Sequence, residues 1–299
     1  ISTFILLDEQ LRWMLENGGL PWCVQRTTQS SQHLYSWATE RAFASPFVDL
    51  DLGKIEIKMK DYHIVYEDNH LLIVNKRAGI LVQGDSTGDR TLTDVLKDYI
   101  KEKYQKPGAV FLHPVHRLDR PVSGLVVFAR TSKALERMNE LFRKRDIQKT
   151  YWAITRRKPD PIKGKLTHYL IKNEVKNVTT ALDYPEDKAQ KAELNYKLIG
   201  KINLHYLIEV EPITGRPHQI RVQLASLGCP IRGDIKYGYD KPNIDASINL
   251  HARRLYFIHP IKQTPIICKA AVPENPFWEE FLELETEEVK LKNLDHLFE

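Results

Sequence analysis

The sequence predicts an α+β fold. Short segments of alternating or continuous apolar residues recur from residue 61 onward. A few others carry apolar residues three and four apart, the spacing of one helix face. The two kinds do not follow one another as regular βαβ units, which argues for α+β.

The elements follow in order. Ile64–Tyr66 and Leu71–Val74 read as strands joined by a turn at Asp68 and Asn69. Thr91 suits the N-cap of a helix with Leu92, Val95, Leu96, Tyr99 and Ile100 on one face, and Gly108 ends its lysine-rich tail. Leu125–Ala129 has strand length. Ser132 is expected to cap a second helix whose Leu135, Met138, Leu141 and Phe142 share a face. Tyr151–Ile154 is a strand. Residues 172–191 are polar and read as a mobile loop or hairpin tip. Leu194, Tyr196 and Leu198, then Leu204, Tyr206 and Ile208, alternate as half-buried strands. Pro217 suits a first helical turn and Gly228 its stop, so His218 and Arg221 face the same way. Leu255–Ile258 and Ile266–Val272 are late strands. Phe277, Trp278 and Phe281 mark a closing amphipathic helix, and the acidic tail after Glu283 is expected at the periphery. No internal repeat is visible.

The length of 299 residues suits one large domain or two ordinary ones. With 42% hydrophobic and 28% charged residues the chain reads as soluble and globular. No run approaches the ~18 apolar residues of a membrane span. No basic-then-apolar leader opens it, so no signal peptide is expected, and the start at Ile1 suggests a fragment or truncated chain. Cys23, Cys229 and Cys268 are scattered and odd in number, which predicts neither disulfides nor a cysteine metal site and favours a reducing, cytoplasmic setting. His113 and His116 are separated by Pro114, a turn signal and not a zinc-binding helix face. No metal and no cofactor are expected. The net charge of +5 permits a polyanionic partner. Its distribution says more: from Arg130 to Lys158, ten basic residues stand against Glu136, Glu140 and Asp146. Such a patch suits a phosphate backbone, although a solvated helix face has the same composition.

The most informative stretch is 113–124, His-Pro-Val-His-Arg-Leu-Asp-Arg-Pro-Val-Ser-Gly. It sets Asp119 between Arg117 and Arg120, where positive charge should hold the carboxylate ionised and able to act as nucleophile or base. It lies just before a strand, where functional loops often sit. The plain alternative is a surface ion-pair cluster. His116 suits a structural hydrogen bond. Ser123 and Gly124 read as turn formers, with no partnered histidine to make Ser123 a nucleophile.

This string resembles the active-site signature of the RluA-type pseudouridine synthases, His-Arg-Leu-Asp-Arg-x-x-Ser-Gly. Two further segments are similar to motifs of that family: Lys149-Thr150-Tyr151, and Ile213 to Arg221, which contains Thr-Gly-Arg-x-His-Gln-Ile-Arg. Weaker echoes are Tyr66-Glu67-Asp68, Asn75-Lys76 and Leu250-His251-Ala252; Arg77 stands where the family usually has proline. The resemblance covers about residues 61–283. It implies a central mixed, mostly antiparallel β-sheet with flanking helices and an active-site cleft. It implies isomerisation of uridine to pseudouridine in structured RNA, ribosomal or transfer, without metal or cofactor. Oligomeric state is open, with a monomer as the default. Asp119 would be the catalytic aspartate, Arg221 its partner, and Tyr151 the ring against the target base. Arg117, Arg120, Lys149, Arg216 and His218 would contact RNA. A non-catalytic RNA-binding protein on the same fold is the alternative; the intact Asp119, Tyr151 and Arg221 set argues against it.

Residues 1–60 read as a separate N-terminal extension of unclear origin, and 61–299 as the catalytic domain. Asn17-Gly18-Gly19-Leu20, Arg26-Thr27-Thr28 and Leu34-Tyr35-Ser36-Trp37 resemble a short internal stretch of phosphoserine aminotransferase over about residues 4–48, without its pyridoxal phosphate lysine. A chimeric junction near Asp49–Lys60 is expected. An accessory helix pair with Leu11, Met14 and Leu15 on one face is the alternative.

Overall fold

The structure, a computed structural model, describes residues 61–84 and 88–285, together with Gln29 and the backbone of 44–49 and 54–59. The chain divides into two units, Ile1–Lys60 and Asp61–Glu299. In the first, β1 (Ala44–Asp49) and β2 (Lys54–Met59) pair antiparallel, from Ala44↔Met59 to Asp49↔Lys54. The aminotransferase-like stretch, the helix stripe at Leu11–Leu15 and Cys23 lie outside the described residues.

The second unit is built on one 11-stranded sheet. Its strands are β3 (Tyr62–Glu67), β4 (Leu71–Lys76), β5 (His113–Pro114), β6 (Ser123–Ala129), β7 (Gln148–Thr155), β8 (Lys163–Asn173), β9 (Val178–Leu182), β10 (Gln190–Ile202), β11 (His205–Pro212), β12 (Leu250–Ile258) and β13 (Pro265–Lys269). The order runs β3-β4-β6-β12-β7-β11-β10-β8-β9, with β5 on β6 and β13 on β12. Among the described residues the one parallel pairing is β6 with β12, through His251↔Ser123 and Ala252↔Gly124. The fold is therefore α+β, as the residue patterns predict.

Among the described residues four α-helices pack on the sheet. The first, α1 (Leu92–Lys103), starts at Thr91 through a capping box: Thr91 Oγ1 accepts from the Asp94 amide (3.2 Å), and the Asp94 carboxylate accepts from the Thr91 amide (3.1 Å). It buries Leu92, Leu96 and Ile100 on one core, with Val74, Val126, Phe128, Ile208 and Val210 from the sheet. Helix α2 (Ser132–Lys144) covers the opposite face, burying Ala134 and Met138 against Ile73, Val127 and Phe257. Helix α3 (Gln219–Ser226) enters the first core with Ile220 and Leu224. Helix α4 (Pro276–Glu280) seats Trp278 on Trp152 and Ile154. Strand β6 is buried at every position because helices cover both its faces, and each such aliphatic side chain contributes about 1.5–3 kcal/mol.

Several expectations are corrected. The cap of α2 is Thr131, whose backbone is extended and whose Oγ1 accepts from the Ala134 amide (3.2 Å); Ser132 is the first helical residue. Pro217 lies outside α3, which begins after His218 in the left-handed region at φ 54°. Of the two readings of residues 172–191 the structure gives a hairpin, not a loop throughout: β9 pairs with β8 from Tyr169↔Leu182 to Asn173↔Val178 with residues 174–177 as its turn, and the buried Thr179 anchors it by donating Oγ1–H to the Pro217 carbonyl (3.2 Å). Strand β11 is not half-buried throughout, since Leu207 and Ile208 are both inside, on opposite faces, while Leu204 is exposed in the turn. Beyond Glu283 the chain is not peripheral at once: Glu285 accepts from Arg253 Nη2 and Lys269 Nζ, both at 2.7 Å, with its side chain 5% exposed.

Candidate active site

The loop carrying Asp119 runs from β5 into β6 and is held from below. Lys76, buried at the end of β4, donates to the carbonyls of Arg77 and Ile80 (2.9 Å each) and Arg120 (3.3 Å). Burial pulls its ammonium down to about 7, with Asp119 opposing the shift and Arg120 adding to it. The Gly79 amide donates to the Arg120 carbonyl (2.7 Å), and Arg120 Nε donates back to the Gly79 carbonyl (3.0 Å). Arg120 also pairs with Asp89 (2.8 Å). His116 accepts from the Val127 amide at Nε2 (3.2 Å), and burial, helped by Lys149, pulls it down to about 3, so it is a neutral structural acceptor.

Ser123 and Gly124 are strand residues, not turn formers. Gly124 has φ +116°, and a Cβ there would lie 2.4 Å from the Ala252 amide nitrogen and carbonyl oxygen. Ser123 does have a histidine partner, His251 Nδ1 at 2.9 Å. Both side chains are buried under the sheet, and the bond joins the parallel strands.

Helix α3 supplies the partner of Asp119. Arg221 Nη1 donates to Asp119 Oδ2 at 2.8 Å. Its other edge is gripped by Asp234: Nε to Oδ2 at 2.7 Å and Nη2 to Oδ1 at 2.9 Å. Asp234 is 1% exposed and Arg221 5%, whereas the Asp119 side chain is 29% exposed. One guanidinium thus bridges a buried carboxylate and one open to a cavity. Burial alone would pull Arg221 down; the two carboxylates, Asp234 foremost, outweigh it and raise it.

His218 points inward from the start of α3. Its Nδ1 is 2.7 Å from Tyr237 Oη, and its Nε2 is 3.8 Å from Asp119 Oδ2. Burial lowers its pKa despite Asp119, with Arg221 also lowering it, so the ring is neutral. Tyr237 also accepts from the Thr179 amide (2.9 Å) and lies under the Arg221 guanidinium, 5.0 Å from ring centre to carbon. Tyr151, half-buried on β7, has its hydroxyl pushed up by burial and by Asp119, so it is an un-ionised phenol. Lys149 is lowered to about 8, by burial and by Arg145.

These groups surround a cavity of about 120 Å³. Of the eight residues singled out from sequence, Arg117, Asp119, Lys149, Tyr151, Arg216, His218 and Arg221 line it, and Arg120 does not. Leu118, Val122, Ile220 and Leu250 add apolar surface to the lining. The pocket offers one oriented carboxylate beside apolar surface. The sequence reading missed Asp234 and Tyr237. The signal for Asp234 was chemical: a buried arginine has more donors than one carboxylate can satisfy. Among the described residues no three His, Cys, Asp or Glu side chains are grouped to hold a metal ion. Among them, too, no helix is long and apolar enough to cross a membrane.

Known proteins share this arrangement of sequence and fold. The family described as RNA pseudouridylate synthase matches residues 70–226. A tRNA pseudouridine synthase C of Vibrio vulnificus (strain CMCP6) is 33% identical over 241 residues, 74% of this chain and 94% of the relative. A ribosomal large subunit pseudouridine synthase C of Rickettsia typhi (strain ATCC VR-144 / Wilmington) is 34% identical over 76% of this chain and 73% of its own. Among solved structures, human RNA Pseudouridylate Synthase Domain Containing 4 superposes with a TM-score of 0.61 at 28% identity, covering 74% of this chain and 92% of that one. With its sheet, its cavity and these relatives in agreement, the chain belongs to the RluA-type RNA pseudouridine synthases, isomerases of uridine in RNA.

Proposed function

We propose that this enzyme converts specific uridines of ribosomal or transfer RNA to pseudouridine through Asp119. The observation that carries the reading is the Asp119–Arg221–Asp234 bridge, which presents one carboxylate edge to the cavity that Tyr151 lines. The reaction breaks the N1–C1′ bond, turns the uracil, forms the C5–C1′ bond, moves the C5 proton off carbon and leaves N1 protonated. No electron is gained or lost. Asp119 serves either as nucleophile at C1′ or as base for the 2′ proton that yields a glycal; both routes use the ionised carboxylate. Arg221 orients it by a charge-assisted bond. The un-ionised Tyr151 packs on the uracil while it turns. Lys149, Arg117 and Arg216 stand at the cavity as donors for the backbone of a nucleotide drawn out of its stack, which costs a few kcal/mol and favours loops as substrates.

The test is a pseudouridine map of cellular RNA from cells with and without the gene, complemented by wild type or Asp119→Ala. Sites that vanish without the gene and return with wild type alone are the expected result. Restoration by Asp119→Ala would overturn the catalytic assignment and leave RNA binding as the better account.

A further inference from the structure

A second, wider depression of about 420 Å³ adjoins the Asp119 cavity. The two share Lys149, Thr214, Gly215 and Arg216 as a common wall. The second is reached from the end of α2, which contributes Phe142 and Arg143, and from Arg145 just beyond it. Four cations therefore surround it: Arg143, Arg145, Lys149 and Arg216. No carboxylate lines it. None of the four is in an ion pair among the described residues; Arg216 Nε is committed to the Lys191 carbonyl (3.2 Å). Burial first, and then the neighbouring Arg145, lowers the Lys149 ammonium. Phe142 supplies an aromatic ring beside these cations, 5.8 Å from the Lys149 ammonium. A basic channel with an interleaved aromatic side chain is the chemistry that holds a single nucleic-acid strand.

We propose that this depression seats the nucleotide adjacent to the target uridine, its base stacked on Phe142 and the connecting phosphodiester crossing the shared wall at Lys149 and Arg216. Arg145 holds the next phosphate outward. The inference rests on the RNA-modifying reading of the Asp119 cavity. It gives a purpose to the middle of the basic stretch from Arg130 to Lys158: Arg143, Arg145 and Lys149 guide the strand toward the cavity. It also makes recognition reach past the uracil to one neighbouring base.

The probe is fluorescein-labelled pentauridylate, its affinity measured by anisotropy over a series of salt concentrations on the full chain. Phe142→Leu keeps an apolar side chain for the α2 packing and removes the stacking face. Arg145 sits at φ 66°, so Arg145→Asn is chosen because asparagine tolerates the left-handed region. Phe142→Leu is expected to weaken binding by about 5- to 150-fold at an unchanged salt slope, the range for loss of one base–aromatic stack. Arg145→Asn is expected to reduce the slope of log affinity against log salt by about 0.7, one single-strand phosphate contact. Thermal melts check that both variants fold. Wild-type affinity in a folded Phe142→Leu, or an unchanged salt slope in Arg145→Asn, overturns the proposal, as does failure of wild type to bind pentauridylate. None of these readouts requires turnover. An enzyme that still pseudouridylates cellular RNA while binding is indifferent to both substitutions loses the neighbouring-nucleotide seat and keeps its function.

Discussion

On the proposed function, Asp234 sets the geometry of Asp119 through Arg221, although it lies outside the cavity lining. Replacing it by alanine removes two of the three charge-assisted bonds to Arg221, those at 2.7 and 2.9 Å, and leaves a guanidinium only 5% exposed facing an empty carboxylate position. Breaking a buried pair from one side costs about 3–5 kcal/mol. For a unit of this size, 1 kcal/mol corresponds to roughly 2–4 °C in Tm, so Asp234→Ala should lower Tm by roughly 6–20 °C. The activity effect is separate. With Nε and Nη2 released, Arg221 rotates toward its remaining partner, and the Asp119 carboxylate follows it. A displacement on the order of 1 Å at a reacting group costs about 10²-fold in rate. Single-turnover tritium release from C5-labelled RNA, at a temperature where the variant is folded, should show that loss with RNA affinity unchanged. Asp234→Asn keeps one acceptor oxygen and should fall between. Wild-type turnover in folded Asp234→Ala would refute the reasoning, since Arg221 would then hold Asp119 without help.

Other expectations are as direct. Gly124→Ala should destabilise by several times the ordinary cost of a core substitution, because its Cβ would lie 2.4 Å from the Ala252 backbone at a positive φ; a melt within about 5 °C of wild type would contradict this. Tyr151→Phe should bind RNA as wild type does, whereas Tyr151→Ala should lose about 5- to 150-fold in affinity; equal binding by both would remove the ring from the base-stacking role. Lys149, held near pH 8, is charged below that value and neutral above it. Phosphate binding favours the charged form, so RNA affinity should fall between pH 7 and pH 9. Lys149→Arg should remove that fall, and an equally steep fall in the arginine variant would assign it elsewhere.

What could be read from sequence depended on whether the determinant is local. Asp119, Tyr151 and Arg221 sit in dense strings whose resemblance to known motifs singled them out, and all three line one cavity. Thr91 named its helix because a cap and its N3 partner are three residues apart. Thr131 and Ser132 are equally good caps in isolation, and the extended backbone of Thr131 decides between them. Asp234 was invisible because its function is to satisfy donors on a residue 13 positions away across a loop. Residues 178–182 look polar and loose, yet pairing with β8 and the buried Thr179 order them. Ser123 and Gly124 have turn composition. The requirement for glycine here comes instead from close approach of Ala252, 128 residues later, which no local rule can register.

That close approach also explains why a loop-borne carboxylate can be positioned well enough for chemistry. Gly124, Ala252, Tyr151 and Val210 are successive partners across β6, β12, β7 and β11. The first two meet at the parallel pairing. The Asp119 loop enters β6 just before this row, with the Val122 amide bonded to the Asp119 carbonyl (3.0 Å) and Lys76 holding the Arg120 carbonyl from beneath. Tyr151 stands in the row itself, and Arg221 reaches Asp119 from a helix whose first six residues are buried. The backbone that carries Asp119 is therefore tied to the row in which Tyr151 stands, and its carboxylate is oriented by Arg221. The loop provides access to a nucleotide, and the strands on either side of it provide the rigidity that catalysis requires.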